Sequence, residues 1–554
     1  MDNPSKPDRT VSTTPHSPAR GPVKAGPFGL VVLGLHAGAL WLSMSGAAAA
    51  EEPKIRVNSV RIEGNTLLPE PTLSGITSGL AGTERSMGEL NAVALRVQNA
   101  YRDAGYGGVV AYVPPQDTPN GDVTVRVVEG RLAQVRVTGN TWFDTANVRA
   151  GLPNLREGTT PRVRAIDRDI QSTNDNPAKH VGVTLMAGAR PGDIDAEVNV
   201  MDSKPLQYLV GYNNTGTSAT GMQRLSVGVQ HANLFDRDHV GTLQYQTSPD
   251  HPERVHIYSL GYRVPLYALA ASVDAFYAHS SVSNGTTATT AGPLTFTGRG
   301  TVAGLRLNRN LDRIGEYDHH ISLGVDSRKY DDECSVGVFG ALACGPAGVD
   351  VATVPLSVAY VGQKQGPALS YGISGALSVN AGGSARATFD AARPGAQRHY
   401  AIARVVGFAE KGLGAGYTVN GRLELQYSPH ALIPGEKFGL GGAASVRGYT
   451  ERELAGDNGM LARIEVTNAA LQLTEGYRLQ PYVFLDHGRV LNHRDMPCRG
   501  ATETSCALTG VGLGARIAVG RHVNASVDVG RAQSRGLGTE KGDLRGHFAL
   551  NLVL

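Results

Sequence analysis

From Leu206 to the C-terminus, apolar and polar residues alternate with period two, and that alternation limits what the chain can fold into. In GRLELQYS, Leu423, Leu425 and Tyr427 face one way while Arg422, Glu424 and Gln426 face the other. In LARIEVT, Ile464 and Val466 oppose Arg463, Glu465 and Thr467. In VNASVDV, Val523, Ala525, Val527 and Val529 oppose Asn524, Ser526 and Asp528. Such segments are strands with one apolar face, and turn signals divide the region into about sixteen of them. A soluble sandwich also alternates. Many strands, with opposite charges close together on the polar side, favour a transmembrane barrel with a wet lumen. Within lipid, only a closed sheet satisfies every main-chain group of such strands.

Composition agrees. The 554 residues include 70 glycines with no collagen period, which suits many strands and many turns. Beyond about residue 50, no uninterrupted apolar run is long enough for a spanning helix. A net charge of +3 gives no basic surplus and points away from a nucleic-acid partner.

The N-terminus reads as an address, residues 1–50 forming a signal peptide. Lys6, Arg9, Arg20 and Lys24 precede an apolar stretch from Phe28 to Leu42, then small residues from Gly46 to Ala50. A membrane anchor is the alternative, but the stretch is short and is interrupted by Gly29, Gly34, His36 and Gly38. Cleavage near Ala49 or Ala50 starts the mature chain near Glu51, outside the cytoplasm. In an oxidising space, Cys334 with Cys344 and Cys498 with Cys506 read as two short disulfide-closed loops. Neither pair has the spacing or the neighbouring ligands of a zinc site.

Before the alternating region, residues 53–204 repeat one plan twice. A strand, IRVNSVRIEG, has Val57, Val60 and Ile62 as its buried positions. A helix from Met87 to Arg102 places Leu90, Val93, Ala94, Val97 and Tyr101 on one face, and Gly105 ends it. The strands VVAYVPPQD and DVTVRVVEG close the unit. The second copy runs from RLAQVRVTGN through helices at 145–152 and 162–172 to GVTLMAGAR and DIDAEVNVMD. Each copy is strand-helix-helix-strand-strand, and each opening strand ends in Gly-Asn, at 64–65 and 139–140.

Three groups of residues carry a family resemblance. The run YRDAGYGGVVAYVPPQDTPNGDVTVRVVEG resembles the end of a first POTRA domain of two-partner secretion transporters, and NDNPAKHVGVTLMAGARPGDIDAEVNVMDSKP the end of a second. Val446-Arg447-Gly448-Tyr449 lies in a Gly-rich loop, and YVFLDHGRV places Phe484, Asp486 and Gly488 on one face of a strand. The closing LRGHFALNLVL resembles an outer-membrane insertion signal, with Leu554 where an aromatic residue is usual.

The resemblance implies a mainly β chain: two small α/β POTRA domains, at 53–130 and 131–204, before a 16-stranded antiparallel barrel at 206–554. It implies an outward loop, 436–458, folded back into the barrel so that Arg447 meets Asp486 on the inner wall. The chemistry is sound independently: a guanidinium fork matches a carboxylate and gains strength in a partly desolvated lumen. Gly448 permits a tight backbone, Tyr449 can pack and still hydrogen-bond, and Phe484 offers the tip an apolar seat. Without the resemblance, the first motif is a surface loop and the second a strand end. Many members carry a plug helix ahead of the first POTRA domain. About five residues separate the expected cleavage site from the first strand here, which leaves the loop alone to restrict the pore.

By the same resemblance, the protein exports a large secreted β-helical exoprotein such as a haemolysin, adhesin or toxin. Its other partners are outer-membrane lipid and, during biogenesis, the barrel-assembly machinery. No cofactor is implied, and no catalytic constellation occurs: there is no G-x-S-x-G elbow, phosphate loop or H-E-x-x-H helix. Asp457-Asn458-Gly459 resembles part of a calcium loop but lacks the remaining ligands. The alternatives are a barrel-assembly insertase of the same superfamily, which usually carries more POTRA copies, or a diffusion or haem-related pore, of which a plain porin would not need the POTRA module.

Overall fold

The computed structural model describes residues 53–282, 285–296, 299–331, 349–469, 471–474, 476–493, 496–499 and 502–554. The proposed signal peptide and the Cys334/Cys344 pair lie outside them.

The first module contains β1 (Lys54–Val57), β2 (Ser59–Glu63), α1 (Glu70–Thr77), β3 (Thr83–Ser86), α2 (Met87–Asp103), β4 (Val109–Tyr112) and β5 (Asp122–Glu129). The opening strand is broken at Asn58, whose N–H and side chain are diverted to the carbonyls of Gly121 and Asn120. As a result β1 pairs with β3, while β2 joins the main sheet in the order β2-β5-β4. A Ser86/Glu89 capping box starts α2, which buries Leu90, Val93, Ala94, Val97 and Tyr101 as expected.

The second module repeats the order with β6 (Arg131–Thr138), α3 (Thr145–Ala150), α4 (Val163–Asn174), β7 (Lys179–Ala187) and β8 (Asp193–Asp202). The sheet order is β6-β8-β7, the counterpart of β2-β5-β4. The repeated Gly-Asn has a physical cause. Gly64 and Gly139 both take left-handed φ, and a Cβ on either would strike a main-chain carbonyl, of Val127 or Val200. Asn65 and Asn140 then donate to the carbonyl three residues on, at 2.9 and 2.8 Å, closing the turn.

Sixteen antiparallel strands form the closed barrel. They begin with β9 (Leu206–Asn213), β10 (Arg224–Leu234), β11 (His239–Thr247), β12 (Ile257–Leu266), β13 (Ala271–Ser280), β14 (Gly300–Asn310), β15 (Tyr317–Tyr330) and β16 (Val351–Lys364). The circuit continues with β17 (Leu369–Gly383), β18 (Ala401–Gly414), β19 (Tyr417–Tyr427) and β20 (Asn458–Asn468, resumed at Leu471–Thr474). It ends with β21 (Tyr477–Leu491), β22 (Ser505–Val519), β23 (Val523–Ala532) and β24 (Leu544–Val553), which pairs with β9. Leu423, Leu425, Tyr427, Ile464, Val527 and Val529 project outward and exposed, as the alternation requires of a lipid-facing surface.

The second module is seated on the barrel's short-turn end through a buried group. Lys179 donates to Asp238, in the β10–β11 turn, at 2.6 Å, and to Asn147 at 2.7 Å. The Tyr267 hydroxyl donates to the same Asp238 carboxylate at 2.5 Å. Burial pushes the Lys179 ammonium below the usual lysine range, and Asp238 offsets part of that shift.

One expectation requires correction. The loop at 436–458 is not alone in the lumen. Between β13 and β14 the chain forms a hairpin, Gly285–Thr289 against Gly292–Phe296. Its tip lies against the inner wall: Arg263 donates to the Thr290 carbonyl at 3.0 Å, and a Cβ on Gly261 would sit 2.6 Å from the Thr290 nitrogen. The Thr/Ala/Gly-rich segment has no alternation that marks which side of the wall it occupies.

Candidate functional site

The loop between β19 and β20 is held at both ends by buried carboxylates paired with arginines. At the entering end, a 3-10 turn, Pro434–Glu436, buries Glu436. Its carboxylate accepts from Arg328 at 2.9 and 3.0 Å and from the Tyr330 hydroxyl at 2.9 Å, both on β15. At the leaving end, Asp457 is fully buried. It pairs with Arg393 and accepts from the main-chain N–H groups of Leu432 at 2.9 Å and His493 at 2.8 Å. The residue that resembled a calcium-loop fragment is thus the partner of an arginine 64 positions earlier. Between the ends, Phe438–Leu440 pairs with Leu454–Gly456 and leads to the tip.

At the tip, Val446, Arg447 and Tyr449 are all but completely buried. Arg447 donates through Nε and Nη2 to the two oxygens of Asp486, at 2.7 and 2.8 Å, and its main-chain N–H adds a third bond at 3.1 Å. Nη1 is shared between Glu465 on β20 at 2.8 Å and Asp528 on β23 at 3.0 Å. The guanidinium carbon lies 3.5 Å from the centroid of the Phe484 ring. Phe484 therefore serves as a π-face for the cation rather than as an apolar seat for the loop. Arg463 and Arg516 stand behind, Arg463 at 3.4 Å from Asp486 and Arg516 paired with Glu465.

Sheet register produces the seat. Asp486 lies opposite Gly510 across β21 and β22, and Gly512 opposite Gly530 across β22 and β23. A Cβ on Gly510 would strike the Arg447 carbonyl, and one on Gly530 would lie 2.6 Å from the Gly448 nitrogen. Gly488 leaves room for the Leu440 side chain, which would stand 2.5 Å from its Cβ. The wall is bare of side chains where the loop backbone touches it. Gly448, at φ +95°, donates its N–H to Nε2 of His547 on β24 at 3.2 Å. The Tyr449 hydroxyl bonds the carbonyls of Thr509 and Ser534 at 2.9 and 2.8 Å. Leu440, Val446, Tyr449, Leu454, Val490, Leu508 and Cys506 form an apolar cluster around the tip, and Cys506 is disulfide-bonded to Cys498.

All seven residues of the two motifs converge here. Sequence reasoning missed Glu465, Asp528, His547, Gly510 and Gly530. Each stands at a lumen-facing position of its strand, so the alternation carried their direction but not their common neighbour. Beneath the tip the lumen opens into a cavity of about 650 Å³ bordered by Arg422, Arg463, Gln480 and Arg516. Such a wall hydrates readily and offers polar partners to a passing main chain.

The chain resembles known proteins along most of its length. Residues 192–335 and 354–517, more than half of the chain, match the family described as haemolysin secretion/activation protein ShlB/FhaC/HecB. Residues 55–130 match the ShlB-type POTRA domain. The outer membrane transporter CdiB of Dickeya dadantii is 25% identical over 497 residues, 87% of this chain and 83% of that protein. CdiB of Escherichia coli O6:K15:H31 is 25% identical over 502 residues, covering 87% and 80%. Among solved structures, CdiB from Escherichia coli superposes with a TM-score of 0.73 at 19% identity, over 92% of each chain. CdiB from Acinetobacter baumannii gives 0.67 at 17%, over 91% of each.

Proposed function

The chain belongs to the haemolysin secretion/activation family ShlB/FhaC/HecB, and on that premise we propose that loop 436–458 is the resting latch of a polypeptide-conducting pore. As a member it is an outer-membrane transporter of two-partner secretion, with its POTRA front in the periplasm and a secreted exoprotein as its partner. We read residues 53–130 and 131–204 as two POTRA domains and 206–554 as the barrel. The partner is a large β-helical exoprotein of haemolysin, adhesin or toxin type. Lipid surrounds the barrel, and assembly machinery inserts it.

The observation that carries the reading is the burial of Arg447 among Asp486, Glu465, Asp528 and the Phe484 ring, on the inner wall of the barrel. A charged group so placed is a constraint to be released rather than a surface feature. The outer strands of the two small sheets are β2 and β4 in the first and β6 and β7 in the second, and β4 exposes Val110 and Tyr112. An extended segment of the unfolded exoprotein adds to such an edge through main-chain hydrogen bonds. The segment then enters the lumen, Arg447 leaves its seat, the chain threads outward, and folding outside prevents its return.

Co-expression tests this. With the candidate exoprotein present, secretion should cease when residues 53–204 are removed from a barrel that still shows heat-modifiable mobility. Undiminished secretion would refute the reading.

A further inference from the structure

Taking loop 436–458 as the latch, we infer that its seat is an exchangeable receptor for an arginine-bearing segment, into which a passing polypeptide inserts an Arg followed by a small residue when the loop departs. Three guanidiniums, of Arg447, Arg463 and Arg516, face three carboxylates, of Asp486, Glu465 and Asp528, all three carboxylates buried. Withdrawing Arg447 leaves one carboxylate in excess. The loss is uneven. Glu465 keeps Arg516 and Asp486 keeps Arg463, but Asp528 is left with the Tyr482 hydroxyl at 2.8 Å as its remaining hydrogen-bond donor among the described residues. A buried carboxylate without a cation is unfavourable, so the open state gains by accepting a replacement.

The seat specifies that replacement closely. Asp486 presents a fork that a guanidinium meets with two parallel bonds, and Nη1 bridges two further carboxylates. The Phe484 ring takes the flat face of the same group at 3.5 Å. An ammonium has neither the plane nor the fork, so lysine is a poor substitute. The floor formed by Gly510 and Gly530 admits main chain but little side chain, which favours Arg-Gly over Arg followed by a bulky residue. The Thr509 and Ser534 carbonyls add a place for a tyrosine hydroxyl two positions on.

The test uses the full chain in planar bilayers. In Arg447→Ala, ethylguanidinium, the truncated arginine side chain, should restore low resting conductance at about a tenth of the concentration needed of ethylammonium. On the unaltered protein, N-acetyl-Val-Arg-Gly-Tyr-amide should displace the loop and raise conductance, whereas its lysine counterpart should not. Equal responses to guanidinium and ammonium probes would overturn the receptor. Rescue by ethylguanidinium without any peptide effect would overturn the exchange. If Arg447→Ala leaves resting conductance unchanged, the latch reading fails instead. The receptor is then decided by the barrel's unfolding temperature in that variant, which ethylguanidinium should raise and ethylammonium should not.

Discussion

Asp486 holds Arg447 by three hydrogen bonds, two to the guanidinium and one to its main-chain N–H, so side chain and backbone of the loop tip are fixed by one carboxylate. Breaking a buried pair by removing one partner costs about 3–5 kcal/mol. Arg447→Ala and Asp486→Ala should therefore unseat the loop, raise resting conductance and impair secretion, while heat-modifiable mobility shows an intact barrel. Arg447→Lys keeps the charge but loses the fork and should fall between the unaltered protein and Arg447→Ala.

The glycine floor makes a separate prediction. In Gly530→Ala the new Cβ would press on the Gly448 backbone, an overpacking that costs about 1–3 kcal/mol. The variant should raise resting conductance without altering a single charge. Gly375→Ala, on a strand where a Cβ meets nothing within 4 Å, should leave conductance unchanged.

The inward hairpin should obstruct the pore independently. Removing residues 285–296 is expected to raise resting conductance, as is Arg263→Ala, which releases its tip. Arg263 lies far along the wall from the latch and shares none of its partners, so the effects of Arg263→Ala and Arg447→Ala on gating free energy should add within about 0.5 kcal/mol. Single-channel recording of the double variant measures this.

A pH dependence is expected in the second module. Burial pushes the Asp169 carboxyl up to about 6, although Asn154 donates two hydrogen bonds to it. Between the unfolded value of 3.8 and that folded value, the folded module keeps a proton that the unfolded chain has lost. Its stability should thus be highest below the lower value and fall by up to about 3 kcal/mol as pH rises through the upper. Hydrogen exchange of β7 and β8 at about pH 4.5 and about pH 7.5 reads the change, and Asp169→Asn should abolish it.

What was legible in the sequence were the features written in local periods. The alternation gave the strands and their lipid face, and the doubled strand-helix-helix-strand-strand order gave the two modules. Arg447 and Asp486 were found because two short motifs resemble those of a known family. Glu465, Asp528 and His547 were not, because register across β20 to β24 brings them together, and register has no local signature. Phe484 was read as an apolar seat because a sequence does not show what lies over a ring. Asp457 looked like a fragment of a cation site because its cation, Arg393, lies in a different loop. The hairpin at 285–296 escaped notice because nothing in its composition distinguishes a loop lying outside a barrel from one turned into it.

Arg263 also reaches the second module: besides Asp274 and Thr290, it donates to the Asp175 carbonyl, at the end of α4, at 3.4 Å. The two obstructions are therefore held from opposite sides of the membrane, the hairpin within reach of the periplasmic module and the loop through residues near the cell surface. The open probabilities of two independent obstructions multiply. If each alone stood open about 1% of the time, both would be open together in about one instant in ten thousand. A passage wide enough for a polypeptide would otherwise bleed ions and metabolites. Paired obstructions let such a channel stay tight at rest with each held only weakly enough to yield to an arriving chain.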